Sequence, residues 1–307
     1  MVSGKQDSRR RSAGIYSGLL ASFLLGWAPI LGKLAYQAQV ASATLAALRT
    51  LVAVLFLFLI ALLFWRHLLM LHWRALLSCL LVGAVNGVGS LFYYSALVRL
   101  DASSASLLST LYTAWVVIFL AAAGQPMTRL TLVRLAGSLA GAALVTMPWS
   151  ATNPSDYLGV MLMVASAAVN GWYIVMGQWV LADVPSRSAT LYILTGMAIT
   201  VSVARLGSGP IEPIALPGWR AIVALGLTTA LSRLAMFFSI KRLGGVQTSI
   251  LTLTEMVVSL TLAMLLLGER LTWVQWGGAL LLIGGSLLAR RDVERGAAPP
   301  PSFNPME

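Results

Sequence analysis

Apolar residues in this chain gather into long runs, and the polar and charged ones fall in short segments between them. Ten such runs stand near residues 14–34, 41–64, 75–98, 102–123, 130–148, 157–180, 187–206, 219–241, 246–267 and 272–289. Each is close to the ~20 residues with which an α-helix, rising about 1.5 Å per residue, crosses a hydrocarbon layer of roughly 30 Å. The pattern predicts an all-α integral membrane protein with ten transmembrane helices. Gln125-Pro126, Asn153-Pro154, Gly207 through Pro217, and Gly244-Gly245 mark joints. Between the seventh and eighth runs, Gly207-Ser208-Gly209-Pro210 and Leu216-Pro217-Gly218 flank a short apolar piece suited to the membrane interface.

Composition strengthens the reading. Hydrophobic residues make up 58% of the chain and charged ones 10%, against about 25% charged in soluble domains. The net charge of +11 forms no basic stripe or aromatic RNA-binding signature, so nucleic acid is not an expected partner. It reports orientation instead, because Lys and Arg in short loops stay on the cytoplasmic side. With the N terminus inside, that side receives Lys5, Arg9, Arg10, Arg11, Arg66, Arg74, Arg129, Arg134, Arg187, Lys241, Arg242, Arg290, Arg291 and Arg295. The outer side receives only Lys33, Arg99, Arg205, Arg220 and Arg270. A multi-pass protein of the plasma (inner) membrane with both termini cytoplasmic is expected.

The ends and the rarer residues add little chemistry. Residues 1–13 form a basic segment like a signal peptide's start, but the run that follows continues from Gly14 to Leu34 without a convincing small-residue cleavage site, so it reads as a retained helix. Residues 290–307, with Pro299, Pro300 and Pro301, read as a disordered tail. Cys79 is the single cysteine and lies in an apolar run, which excludes an intrachain disulfide. His67 and His72 share a basic segment with Trp65 and Trp73, an interface loop rather than a metal site. No cofactor or metal is expected.

The two halves resemble each other. Gly83 through Leu100 lies over Gly226 through Leu243, Ser106-Leu107-Leu108-Ser109 over Ser249-Ile250-Leu251-Thr252, Arg129-Leu130-Thr131 over Arg270-Leu271-Thr272, and Gly137 over Gly278. Five helices per half is an odd number, so the second half enters the membrane upside down. The expected organisation is a repeat at 14–148, a linker at 149–156 and an inverted repeat at 157–289, an arrangement that places a transporter's substrate site near the midplane.

Specific motifs carry a family resemblance. The first helix has Gly26-Trp27-Ala28-Pro29 and Gly32-Lys33, the second Ala46-Ala47-Leu48-Arg49, and the third ends Tyr93-Tyr94-Ser95-Ala96-Leu97. The most specific stretch is Leu266-Leu267-Gly268-Glu269-Arg270-Leu271-Thr272, followed by Gly277-Gly278 and Gly284-Gly285. In this order and spacing the chain resembles the ten-helix, EamA-type members of the drug/metabolite transporter superfamily over residues 14–290. The resemblance implies export of small metabolites and no enzymatic activity. Two departures stand out. Pro, common in the family after the Tyr or Glu of the fourth and ninth helices, is replaced in Tyr112-Thr113 and Glu255-Met256, and Met127-Thr128 stand where the first repeat would carry Gly-Glu. Without those prolines the two helices are expected to be less interrupted.

An ionisable side chain at membrane depth costs at least about 2.5 kcal/mol on insertion scales, so each one is a functional hypothesis. Four stand out: Lys33, Arg49, Arg233 and Glu255. Glu255, the single acidic residue deep in a predicted span, is a candidate proton acceptor unless a cation holds it ionised. Arg233, on the preceding helix, is its candidate partner, in either a structural pair or a coupling site. Lys33 is near a helix end, where a long side chain can snorkel; Arg49 either ties carbonyls together or attracts an anionic group. Trp27, Asn86, Tyr93, Tyr94, Tyr112, Trp115, Asn170, Trp172, Tyr173 and Gln178 offer polar handles on the spans. Of these, Asn86, Tyr93, Tyr112, Asn170 and Trp172 join the four charges as candidate pathway residues.

The expected function is alternating-access export of small amphipathic metabolites such as amino acids, with protons as a candidate coupling ion, lipid as the solvent and a homodimer left open. Two alternatives remain: a passive facilitator of the same fold with Glu255 in an ion pair, and a membrane-embedded enzyme or accessory protein, for which the sequence offers no nucleophile cluster, paired carboxylates or nucleotide loop.

Overall fold

The apolar runs become helices, and charged residues extend several of them. The computed structural model describes residues 2–64, 66, 70–122, 129–146, 154–210, 213–243 and 253–296. Among these, all regular structure is helical. We number the helices α1 (Val2–Gly26), α2 (Ala28–Gln37), α3 (Ser42–Phe64), α4 (Trp73–Leu97), α5 (Ala102–Ser109), α6 (Tyr112–Ala122), α7 (Arg129–Thr146), α8 (Pro154–Asp183), α9 (Ser186–Leu206), α10 (Leu216–Leu243), α11 (Leu253–Leu266) and α12 (Trp273–Gly296). They fall on the ten intervals marked by hydropathy, two of which are each divided into a pair of helices. Among the described residues, six stretches are long and apolar enough to cross a membrane: Ser12–Gln37, Ser42–Phe64, Trp73–Leu97, Ala102–Phe119, Tyr157–Gly177 and Ser186–Leu206. Shorter apolar stretches lie at Leu135–Val145, Thr254–Leu266 and Trp273–Gly284.

Three boundaries differ from the sequence expectation. Helix α1 reaches back through the basic segment to Val2, α8 begins at Pro154 inside the expected linker, and α12 runs on to Gly296, so the first part of the expected disordered tail is helical. Arg, Lys, Gln and Glu are good helix formers, and a helix already anchored in an apolar environment extends through them at little cost. The remainder of the tail, 297–307, lies outside the described residues, as do His67 and the Met127-Thr128 pair.

Both divided spans have a local cause. Between α1 and α2 the chain turns at Trp27, and Pro29, in the first turn of α2, has no N–H to continue the ladder. Between α5 and α6 the break occurs at Thr110-Leu111 without proline, contrary to the expectation of a less interrupted helix. There the Thr110 and Leu111 amides bond i−3 carbonyls, Leu107 at 3.2 Å and Leu108 at 3.0 Å. The Ser109 and Thr110 hydroxyls also donate back, to Ser106 O and Leu107 O. Hydroxyls competing for the helix's own carbonyls tighten and bend it as proline would.

Packing follows a rule of exchange between the halves. Helix α4 packs chiefly on α8 and α9, and its counterpart α10 packs on α1 and α3. Helix α6 lies on α8, and α11 lies on α1; α3 pairs with α9, and α7 with α12. Exchanging the halves maps the α4 contacts onto those of α10 and the α6–α8 contact onto α1–α11, and leaves α3–α9 and α7–α12 unchanged. Small residues permit the crossings: a Cβ on Gly141 would stand 2.8 Å from the carbonyl of Gly278, and one on Gly278 2.7 Å from that of Gly141. In the segment between α9 and α10 most of the described residues are exposed, but Ile214 packs against the main core and lies with Val40 beside Gly218. Arg205, 8% exposed, fixes it by donating to Thr44 Oγ1 (2.6 Å), Gly209 O (2.7 Å) and Pro210 O (3.0 Å).

Candidate functional site

Helices from both halves bring charged and phenolic side chains together in the interior. Arg49, 6% exposed on α3, lies with its guanidinium 4.5 Å from the centroid of the Tyr94 ring. It donates through Nη2 to Ser90 Oγ of α4 (2.6 Å) and through Nη1 to Thr229 Oγ1 of α10 (3.2 Å). Its Nε is buried with no hydrogen-bond partner among the described residues. This side chain therefore ties α3 to one helix of its own half and one of the other. Tyr94 is held in turn by Tyr36 of α2, whose Oη donates to the Tyr94 carbonyl (2.8 Å), and by an edge contact with Tyr93 at 5.1 Å.

The second cation, Arg233 of α10, is half-buried. It donates to Tyr173 Oη of α8 (3.3 Å), with its guanidinium 5.6 Å from the centre of that ring. Glu255, in the first turn of α11, lies in the field of Arg233, and Tyr93 in the fields of Glu255 and Arg49. Tyr94 interacts with both arginines. Among the described residues, however, no ion pair joins Arg233 to Glu255. The expected partners are neighbours, and the arginine's hydrogen bond goes to a phenol.

The other candidates lie elsewhere. Lys33 has Asp101 and Glu269 as its charged neighbours, at the end of the bundle where α4 turns into α5. Asn86 is buried one helical turn from Ser90, but its amide contacts Met197 Sδ of α9 at 3.4 Å. Tyr112 lies at the crossing of α6 and α8, where a Cβ on Gly171, the residue after Asn170, would lie 3.0 Å from the Tyr112 carbonyl. Trp172 is 40% exposed and joins an outward aromatic group, edge-on to Phe119 at 5.3 Å, with Phe119 stacked on Trp115 at 5.8 Å. The structure thus gathers Arg49, Arg233, Glu255 and Tyr93, and gives Lys33, Asn86 and Trp172 other neighbours: Asp101 and Glu269, Met197, and Phe119.

Sequence reasoning missed Tyr36, Ser90, Thr229 and Glu269. The first three hold the arginine and its aromatic platform. Glu269 does something different: its two carboxylate oxygens accept the N–H groups of Ala102 and Ser103, each at 2.8 Å, capping α5 from the other half. Gly268, at φ +69°, makes the turn that presents it. Beneath this cap Ile30, Ala102 and Ala263 form a separate apolar cluster.

Comparison with known proteins adds to the geometry. Residues 12–147 and 157–291 each match the EamA-like transporter family. A crystal structure superposes with a TM-score of 0.65 at 21% identity, covering 92% of this chain and 98% of that one, a likeness that speaks for the fold. No curated protein matches the chain.

Proposed function

The chain belongs to the EamA-like transporter family, and on that premise we propose that it is a secondary transporter carrying small amphipathic metabolites, amino acids or related compounds, out across the plasma membrane. The two matched stretches act as inverted five-helix repeats, ten transmembrane helices in all, that rock about a site near the midplane, with both termini in the cytoplasm.

The observation that carries this reading is the interior group of Arg49, Arg233 and Glu255 on the tyrosines of α4 and α8. Ionisable groups at membrane depth are costly, and those that persist mark substrate or ion paths. This group also lies where the halves meet, since Arg49 bonds α4 and α10 at once. Glu255 is the proton acceptor in this scheme. The groups that face it are Arg233 from α10 and Tyr93 from α4.

A passive facilitator is the competing reading. It required Glu255 to be held in an ion pair, and the hydrogen bond of Arg233 to Tyr173 supports the coupled carrier instead. The deciding experiment is flux of a labelled metabolite panel in proteoliposomes, with and without an imposed pH gradient, for native protein and Glu255→Gln. Flux that follows the gradient and loses that dependence in Glu255→Gln supports the coupled carrier. Gradient-independent flux unchanged by the substitution leaves a facilitator.

A further inference from the structure

The interior group is unbalanced. Among the described residues it holds two guanidinium groups and one carboxylate, and neither arginine has a carboxylate within ion-pair distance. Arg49 spends two donors on neutral hydroxyls and leaves Nε buried and unpaired. Arg233 spends one donor, on a phenol, out of the five that a guanidinium offers. A buried cation without a counter-charge is costly, and the cost is relieved by an anion that also satisfies its hydrogen bonds.

The repeat shows that this imbalance is local. Laid over one another, the halves place Ser90 on Arg233 and Tyr112 on Glu255. The crossings do the same for the third charge: a Cβ on Gly226 would meet the Arg49 carbonyl at 2.8 Å, and one on Gly83 would meet that of Ile193. All three charges therefore sit on a two-fold frame at positions whose counterparts are neutral. The frame itself does not require them.

We propose that the site takes a net-anionic solute, a monocarboxylate with an uncharged, amphipathic body, whose carboxylate binds the free edge of the Arg233 guanidinium while Arg49 acts as a positioning residue behind Tyr94. The planar guanidinium fork suits a carboxylate, two parallel N–H···O bonds being the strong mode. Tyr93, partly buried and edge-on to Tyr94, supplies a ring for the body of the solute, while Tyr94 and Tyr173 lie under the two guanidinium groups. A solute of charge −1 makes the group neutral with Glu255 ionised; a zwitterion leaves it at +1. The inference rests on the transport reading and narrows it.

The test uses matched triplets with aromatic and aliphatic bodies, such as N-acetylphenylalanine, phenylalanine and N-acetylphenylalaninamide, read by thermal stabilisation of the purified native protein. The acid of at least one triplet is expected to bind about tenfold more tightly than its zwitterion and amide, and Arg233→Gln, with an unchanged gel-filtration profile, to abolish the preference. Arg233→Lys should restore part of it, keeping the charge without the fork. Equal binding across every triplet, or no stabilisation by any acid, overturns the inference. Parallel flux of the same solutes separates the two readings: zwitterions that move while acids do not leave the transporter standing and remove the anion site, whereas no movement of any solute counts against both.

Discussion

Gly26 of α1 crosses α11 directly over the backbone carbonyl of Glu255, where an added Cβ would stand 2.9 Å from that oxygen and 2.7 Å from Val258 Cγ1. The other half repeats the crossing: a Cβ on Gly171 of α8 would stand 3.0 Å from the carbonyl of Tyr112 and 2.9 Å from Trp115 Cβ. In both, the glycine is followed by tryptophan, Trp27 and Trp172. Absence of a side chain at residue 26 lets the backbone of Glu255 approach the first span, so the frame of this crossing is shared between halves while Glu255 stands where the other half has Tyr112.

That closeness makes Gly26→Ala a sensitive probe. The new methyl meets backbone on one side and a β-branched side chain on the other, and overpacking of this kind costs about 1–3 kcal/mol. Thermal denaturation in detergent should show the loss for Gly26→Ala and Gly171→Ala, whereas Gly277→Ala, with open space around its Cβ, should be near neutral. Equal stability for all three would mean that the crossings are looser than the structure shows.

The cap of α5 should be measurable by itself. Replacing Glu269 by Ala leaves the Ala102 and Ser103 amides without their acceptor, and loss of a capping side chain costs about 0.5–2 kcal/mol. Glu269→Gln keeps one acceptor oxygen and loses the charge that suits a helix N-terminus, so it should fall between the native protein and the alanine variant in thermal unfolding. A Gln variant as damaged as Ala would show that charge, through Lys33 or the helix, carries the whole effect.

The hydropathy pattern alone makes the helices legible, because spanning imposes a length that soluble helices need not meet. The charges at Arg49, Arg233 and Glu255 were equally visible, since such residues are rare at that depth. Their partners were hidden for a physical reason: Ser90 and Thr229 look like any small polar residues of a helix, which most often bond their own turn, as Thr229 also does to Leu225 O at 2.7 Å. Glu269 read as part of a family motif in a loop, and its task depends on the distant N-terminus of α5. The break at Thr110 was missed because proline was taken as the source of interruption, whereas hydroxyl back-bonding produces one here.

Arg205 is predicted to be a structural residue. Its three hydrogen bonds go to Thr44 of α3 and to the carbonyls of Gly209 and Pro210, just beyond α9. Arg205→Ala leaves Thr44 Oγ1 and two carbonyls to find other partners, and a lost bond to a charged group is worth about 1.5–3 kcal/mol. The expected result is a lower unfolding temperature with an unchanged KM for the transported solute. A raised KM at native stability would place this end of the bundle in the solute's path.

Neighbouring aromatic residues on α8 offer the sharpest comparison, because a helix turns successive side chains to different faces. Trp172 points outward to Phe119 and is 40% exposed, while Tyr173 is 6% exposed and accepts the hydrogen bond of Arg233. Tyr173→Phe keeps the ring beneath the guanidinium and removes only its oxygen acceptor. Freed of that partner, Arg233 loses orientation, and a charged hydrogen bond of about 1.5–3 kcal/mol sets the upper scale of the effect. Flux kinetics in proteoliposomes should show KM altered several-fold in Tyr173→Phe and unchanged in Trp172→Phe. The reverse result, with Trp172 sensitive and Tyr173 silent, would move the solute path to the α6–α8 face and away from the arginines.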